Sequence, residues 1–284
     1  MPSLKALRKR IATVRSTQKI TRAMKMVAAA RLRRAQEVAE AARPYAAKLT
    51  AMFAAVAAGV EADAHPLLAR REERRLDLLV LTSDRGLCGG YNANLLRAAT
   101  AFVREHQTVQ SAIGAVGRKG LDYYRRRGVP FIMQKTGILT TPAPVLAKEL
   151  AAELTRRFVA EETDAVYLIY NRFRSAISHV PTVVHLLPVA PPAADASPVD
   201  YLFEPTRGVL LDRLLPRYLE ALITQALLEA AASEHGARMT AMDSATNNAR
   251  EMIDRLTLSM NRARQTAITT ELMEIVSGAE ALKG

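Results

Sequence analysis

Residues Arg217–Leu282 read RYLEALITQALLEAAASEHGARMTAMDSATNNAREMIDRLTLSMNRARQTAITTELMEIVSGAEAL, with no proline and only two glycines, Gly236 and Gly278. At ~1.5 Å of rise per residue, the stretch predicts a single helix about 100 Å long. A helix so far beyond ordinary globular length needs a partner to pack against. The other end of the chain supplies one. From Ser3 to Arg43 there is neither proline nor glycine, and strong helix formers dominate. Two long terminal helices around a compact middle predict an antiparallel hairpin closed by that middle.

Composition agrees. Aromatic residues make up 5% of the 284 residues and Trp is absent, which favours long helices over aromatic-rich sheets. The length allows one or two domains with a sizeable core. A single cysteine, Cys88, excludes an internal disulfide and a cysteine-based zinc site and fits a reducing compartment. The five histidines show no metal-ligand spacing. The basic N-terminus lacks the apolar run of a secretory signal, and no apolar stretch is long enough to span a bilayer.

The formal net charge is +12. Residues 1–58 hold 13 Lys/Arg against Glu37 and Glu40, whereas residues 208–284 hold 8 against 10 acids. The basic character therefore reads as belonging to the first helix, with a remainder of +3 in the middle. Few acids within that helix offset its i,i+4 repulsion, so an acidic partner is expected, either nucleic acid or acidic protein loops.

In the first helix Leu4, Leu7, Ile11 and Val14 fall on one face. Past the polar Gln18 and Thr21, Ile20, Met24 and Val27 suggest that the apolar stripe shifts, as in a supercoil without a strict heptad. Pro44 predicts a kink or the start of a second segment. Fifteen alanines among residues 23–58 allow close helix approach but little apolar area per contact. In the last helix Pro216 is expected in the first turn, which puts the start near Asp212 as N-cap.

Between the helices the periodicity changes. Leu76–Leu81, Ala112–Val116, Val129–Gln134, Ala165–Tyr170 and Val180–Val189 read as strands, the last an edge strand because of Pro181. Asn92–Glu105, Arg118–Arg127 and Pro144–Glu161 read as helices. The alternation implies a parallel sheet with helical layers. The fold class expected is α/β with long helices. An antiparallel coiled coil of the N- and C-terminal helices (1–58 and 208–284) joins a central α/β, Rossmann-like domain (59–207).

Ser83-Asp-Arg-Gly-Leu-Cys-Gly-Gly-Tyr-Asn92 sits where a strand hands over to a helix, the position that cradles phosphates in doubly wound folds. Its glycine order is G-x-x-G-G, and no G-x-x-x-x-G-K-[ST] occurs, so it reads as a tight turn allowing close backbone packing. No nucleophile–base pattern is evident. Near the C-terminus, Arg262-Ala-Arg-Gln-Thr266 with Thr269, Thr270 and Glu271 makes a polar cluster. Leu272, Ile275, Val276, Ala279 and Leu282 follow as an apolar tip with little of its own chain to pack on.

Four blocks, Thr17–Ala28, Ser83–Asn92, Arg238–Ala249 and Asn261–Gly278, resemble those of the gamma subunits of F-type ATP synthases, in bacterial form. The resemblance implies a non-catalytic central-stalk rotor without cofactor or metal. Its terminal helices would stand inside an alpha3beta3 hexamer, and its α/β domain would meet the epsilon subunit and the membrane c-ring. The implied location is peripheral, on the cytoplasmic face of the bacterial inner membrane, with no direct insertion and no nucleic acid. Carried over by motif, Arg264 and Gln265 would bond an acidic beta loop, with Thr269 and Glu271 beside them. Arg22, Met24 and Lys25 would face a second acidic beta loop. Tyr201, Phe203 and Glu204 would dock on the c-ring. Leu272, Ile275 and Val276 would turn in an apolar sleeve. Two rival readings remain to be tested: a basic coiled-coil nucleic-acid binder, which predicts steep salt dependence, and a nucleotide-dependent α/β enzyme, which predicts cofactor binding by residues 70–200.

Overall fold

The computed structural model describes residues 3–58, 65–190, 204 and 206–281. In chain order it contains α1 (Leu4–Ala57), a 3-10 turn (Pro66–Leu68), β1 (Arg75–Leu81), α2 (Tyr91–Glu105), β2 (Gln110–Val116) and α3 (Arg118–Arg125). There follow β3 (Phe131–Lys135), α4 (Ala143–Val159), β4 (Ala165–Phe173), β5 (His179–Leu187) and α5 (Arg207–Ala281). Two compact units share these elements. One comprises Met1–Val27 with Met239–Gly284, the other Ala28–Arg238.

In the first unit the ends of α1 and α5 pair directly. Thr21 meets Thr246, and four residues further along α1 Lys25 meets Asp243, three residues back along α5. Rising numbers on one helix against falling numbers on the other define an antiparallel pair. On α5 the covered positions are Met242, Thr246, Ala249, Ile253, Leu256 and Met260, alternating four and three apart. On α1 they are Leu4, Leu7, Ile11, Val14, Gln18, Thr21 and Lys25, and the same spacing continues in the second unit at the buried Ala28 and Leu32. This corrects the expected drift of the stripe. The seam keeps a strict heptad by accepting polar residues at Gln18, Thr21 and Lys25, while Ile20, Met26 and Val27 are more than half exposed. Pairing across the seam supplies what the apolar count lacks.

The prolines also depart from expectation. α1 runs through Pro44 without ending, and α5 begins at Arg207, so Pro216 lies inside the helix and Asp212 is not its N-cap. Proline costs a helix one hydrogen bond and a clash, about 3 kcal/mol. Burial of Leu211, Leu214, Leu215 and Leu219 on the same stretch of α5 offsets that loss.

The second unit is built on a five-stranded sheet of order β3-β2-β1-β4-β5. β1 to β4 pair in parallel, as strands separated by helices should, while β5 follows β4 directly and runs antiparallel at the edge. Pro181 sits on that edge strand. The central β1 is buried on both faces after its first residue. Leu76, Leu78 and Val80 pack under α2 and α3. Leu79 and Leu81 face a larger cluster with α4, Leu49 and Phe53 of α1, and Leu215 to Ala230 of α5. Phe53 and Tyr218 stack with ring centroids 4.7 Å apart. Asp77 on the same strand is buried and forked by Arg157 of α4 at 2.7 Å, and burial still pushes its carboxyl above the ordinary range.

Candidate functional site

The turn after β1 is fixed from within. Thr82 donates to the carbonyl of Val116 and accepts from the amide of Gly120, drawing α3 against the end of β1. Gly117 (φ 96°) makes this approach possible, since a Cβ there would lie 2.2 Å from the Thr82 carbonyl oxygen. The Asp84 carboxylate then accepts from the amides of Gly137, Ile138 and Arg118 at 2.9–3.1 Å. The carboxylate thus ties the start of α3 and the loop after β3 to the turn. Asn92 closes the turn by accepting from the Ser83 amide at 3.0 Å.

The rest of this turn holds α5. Tyr91 donates to the Ala230 carbonyl at 3.1 Å, and Cys88, Tyr91 and Ala237 bury one another. Arg238 donates to the carbonyls of Arg85 and Gly86 and pairs with Glu234 at 2.6 Å. Both side chains of that pair are buried, at 11% and 2% exposed. Burial pushes the Glu234 carboxyl up, and Arg238 opposes the rise. Beside it, burial and the cations Arg238 and Arg31 push the His235 imidazole down to about 4. On the opposite side of α5, Gly236 lets the backbone at Ala176 approach, where a Cβ would sit 3.3 Å away. The G-x-x-G-G turn is therefore a clamp on Ala230–Arg238. Reading the sequence missed Asp84, Glu234 and Arg238 as functional positions. The signal was a Glu and an Arg four apart in an alanine-rich stretch of the helix.

The residues expected to meet partners form two separate patches on the first unit. Arg22 is exposed and Met24 and Lys25 are half-buried, beside the exposed Ile20, Met26 and Val27. Lys25 is already engaged by Asp243 at 2.6 Å; with both about half exposed, the pair is worth at most ~1 kcal/mol and serves register more than stability. The second patch begins 21 residues beyond Asp243, about 30 Å along α5. There every residue from Arg264 to Ala279 is exposed, because α1 starts only at Leu4 and the seam runs out. Thr266, Thr269 and Thr270 turn their hydroxyls back to the carbonyls of Arg262, Gln265 and Thr266. That leaves Arg264, Gln265 and Glu271 as the outward polar groups of its first half, with Glu274 and Ser277 further on. Leu272, Ile275 and Val276 follow at 58%, 63% and 55% exposed. Glu204 is exposed, while Tyr201 and Phe203 lie outside the described residues. No group of His, Cys, Asp or Glu among the described residues could hold a metal ion.

A family model described as ATP synthase matches residues 3–282. The ATP synthase gamma chain of Geobacter sp. strain M21 is 51% identical over 289 residues, and that of Moorella thermoacetica 52% over 283, each covering 100% of both chains. Among solved structures, a chain of the central stalk and c-ring of the Tetrahymena thermophila mitochondrial ATP synthase superposes with a TM-score of 0.61. That pair is 26% identical, over 80% of this chain and 99% of the other.

Proposed function

The chain belongs to the ATP synthase gamma chains, central-stalk subunits of the F1 sector, and from that membership we propose that it is a non-catalytic rotor shaft coupling c-ring rotation to the beta catalytic sites. In this reading residues 1–58 and 208–284 form the shaft inside an alpha3beta3 hexamer. Residues 59–207 carry the contacts to the epsilon subunit and to the c-ring, the latter through Tyr201, Phe203 and Glu204. Proton flow through the membrane sector turns ring and shaft together. The complex sits on the cytoplasmic face of the bacterial inner membrane, with this chain peripheral to it. No helix among the described residues is long and apolar enough to cross a membrane.

The shaft works by presenting different contacts to each beta subunit as it turns. Only a difference in interaction free energy between two conformations can shift their equilibrium. Arg264 and Gln265, with Thr269 and Glu271 beside them, bond an acidic beta loop, each charge-assisted bond contributing ~1.5–3 kcal/mol. Arg22, Met24 and Lys25 face a second acidic loop. Leu272, Ile275 and Val276 turn in an apolar sleeve whose wall needs no fixed register.

The observation that carries this reading is the run from Arg264 to Ala279, a helix exposed along its length among the described residues, with its polar cluster first and its large apolar residues after it. The test is reconstitution with matching alpha and beta subunits, with and without residues 261–284. The full chain should assemble and support ATP hydrolysis, and the truncated chain should lose torque or activity. A full chain that never enters an alpha–beta ring would sink the proposal.

A further inference from the structure

Residues 97–127 carry seven Lys/Arg (Arg97, Arg104, Arg118, Lys119, Arg125, Arg126, Arg127) and two acids, Glu105 and Asp122. The basic character is therefore not confined to α1, as the charge count had suggested. Folding gathers five of these seven cations at an open groove of about 830 Å³ between α2 and α3. Arg97, Arg104, Lys119, Arg126 and Arg127 line it, all exposed, and none makes an ion pair among the described residues. Arg97 reaches only the Asn94 amide, at 3.3 Å, and Arg127 only the Tyr123 carbonyl and ring. Five unpaired cations facing one concavity repel one another, a cost that an anionic partner would remove.

The lining also says what kind of anion fits. Glu105 and Asp122 stand among the cations, so a phosphate chain, with a charge on every unit and no N–H donor, meets more repulsion than an acidic peptide, whose charges are spaced and whose backbone amides can donate to those two carboxylates. The face of Tyr123 is covered by the Arg127 guanidinium at 3.6 Å, which denies a nucleobase its stacking surface. Ala93, Leu96 and Ala101 give an apolar floor for side-chain methylenes. α2 is 15 residues long, about 22 Å, enough to seat about six extended residues or a helical peptide of about fifteen. From this charge complementarity we propose that the α2–α3 groove docks an acidic peptide segment of a partner protein, separately from the shaft contacts.

The test titrates a fluorescent twelve-residue Glu/Ala peptide into the full-length chain at low salt. Wild type is compared with Arg104→Glu/Arg126→Glu in the groove and Arg8→Glu/Arg10→Glu on α1, with circular dichroism confirming each fold. The groove variant should weaken binding about tenfold or more, the α1 variant less than about twofold, and Arg104→Gln/Arg126→Gln should fall between. Equal losses in the two reversal variants, or none in the groove variant, would overturn the proposal. So would displacement of the peptide by a single-stranded oligonucleotide of equal charge that binds more tightly, or by inorganic phosphate at matched ionic strength.

Discussion

The hydroxyl of Thr246 on α5 lies 2.8 Å from that of Thr21 on α1, inside a seam where both residues are more than nine-tenths buried. Each also reaches a carbonyl of its own helix, Met242 for Thr246 and Gln18 for Thr21. A polar pair at heptad positions favours one register over its neighbours. Replacing Thr246 with Val should cost about 1 kcal/mol in denaturant unfolding, and Thr21→Val a similar amount. The double valine variant should cost less than the two together, because neither hydroxyl is then left orphaned. Strict additivity would mean the pair is not coupled.

Arg22 and Lys25 are one turn apart yet differently placed. Lys25 is held by Asp243, whereas Arg22 is exposed and makes no ion pair among the described residues. In the reconstituted complex Arg22→Glu should therefore reduce ATP hydrolysis more than Lys25→Ala, by roughly three- to tenfold. The reverse order would place the partner contact on Lys25 and make its link to Asp243 incidental.

Arg238 and Glu234 form a buried pair that also ties α5 to the carbonyls of Arg85 and Gly86. Removing one member leaves the other charged and unpaired, so Arg238→Ala should destabilise the second unit by ~3–5 kcal/mol. The double variant Arg238→Met/Glu234→Leu should recover most of the loss. Thermal unfolding of the three proteins decides the matter.

His235 gives the fold a pH dependence. Its imidazole titrates near 4 in the folded chain against 6.5 ordinarily, so between those values the folded state binds fewer protons than the unfolded one. Stability from this group is present above about pH 6.5 and is lost as pH falls towards 4, by up to about 3 kcal/mol. Glu234, shifted upward, pulls the other way over its own range, so the clean measurement is a difference. The stability of wild type relative to His235→Gln should fall across that window. Parallel curves would show that His235 is not responsible.

Much of this architecture is legible in the residues themselves. The apolar run at β1, the helix over Tyr91–Glu105 and the edge position of β5 each follow from local spacing and from Pro181. What failed were readings in which a local rule met a larger tertiary term. Pro44 and Pro216 look like helix breakers until the leucines around Pro216 are seen to be buried. Gln18 and Thr21 look like the end of an apolar stripe because hydroxyls and amides read as solvent-facing, and only the opposite helix shows Thr21 paired with Thr246 and Gln18 half-buried beside it. The exposure of Leu272, Ile275 and Val276 was readable from the offset between the two helix ends. The α2–α3 groove was not, because its cations stand up to thirty residues apart and meet only once β2 has brought α3 beside α2.

A strict seven-residue seam makes the helix pair wind left-handed, since 3.6 residues per turn must be underwound to keep one face inward. A two-stranded rope of fixed hand responds unequally to twist. Turned one way its strands tighten on each other, and turned the other way they unlay. A shaft that rotates in opposite senses during synthesis and hydrolysis would thus load Thr21–Thr246 and Lys25–Asp243 in compression in one direction and in separation in the other.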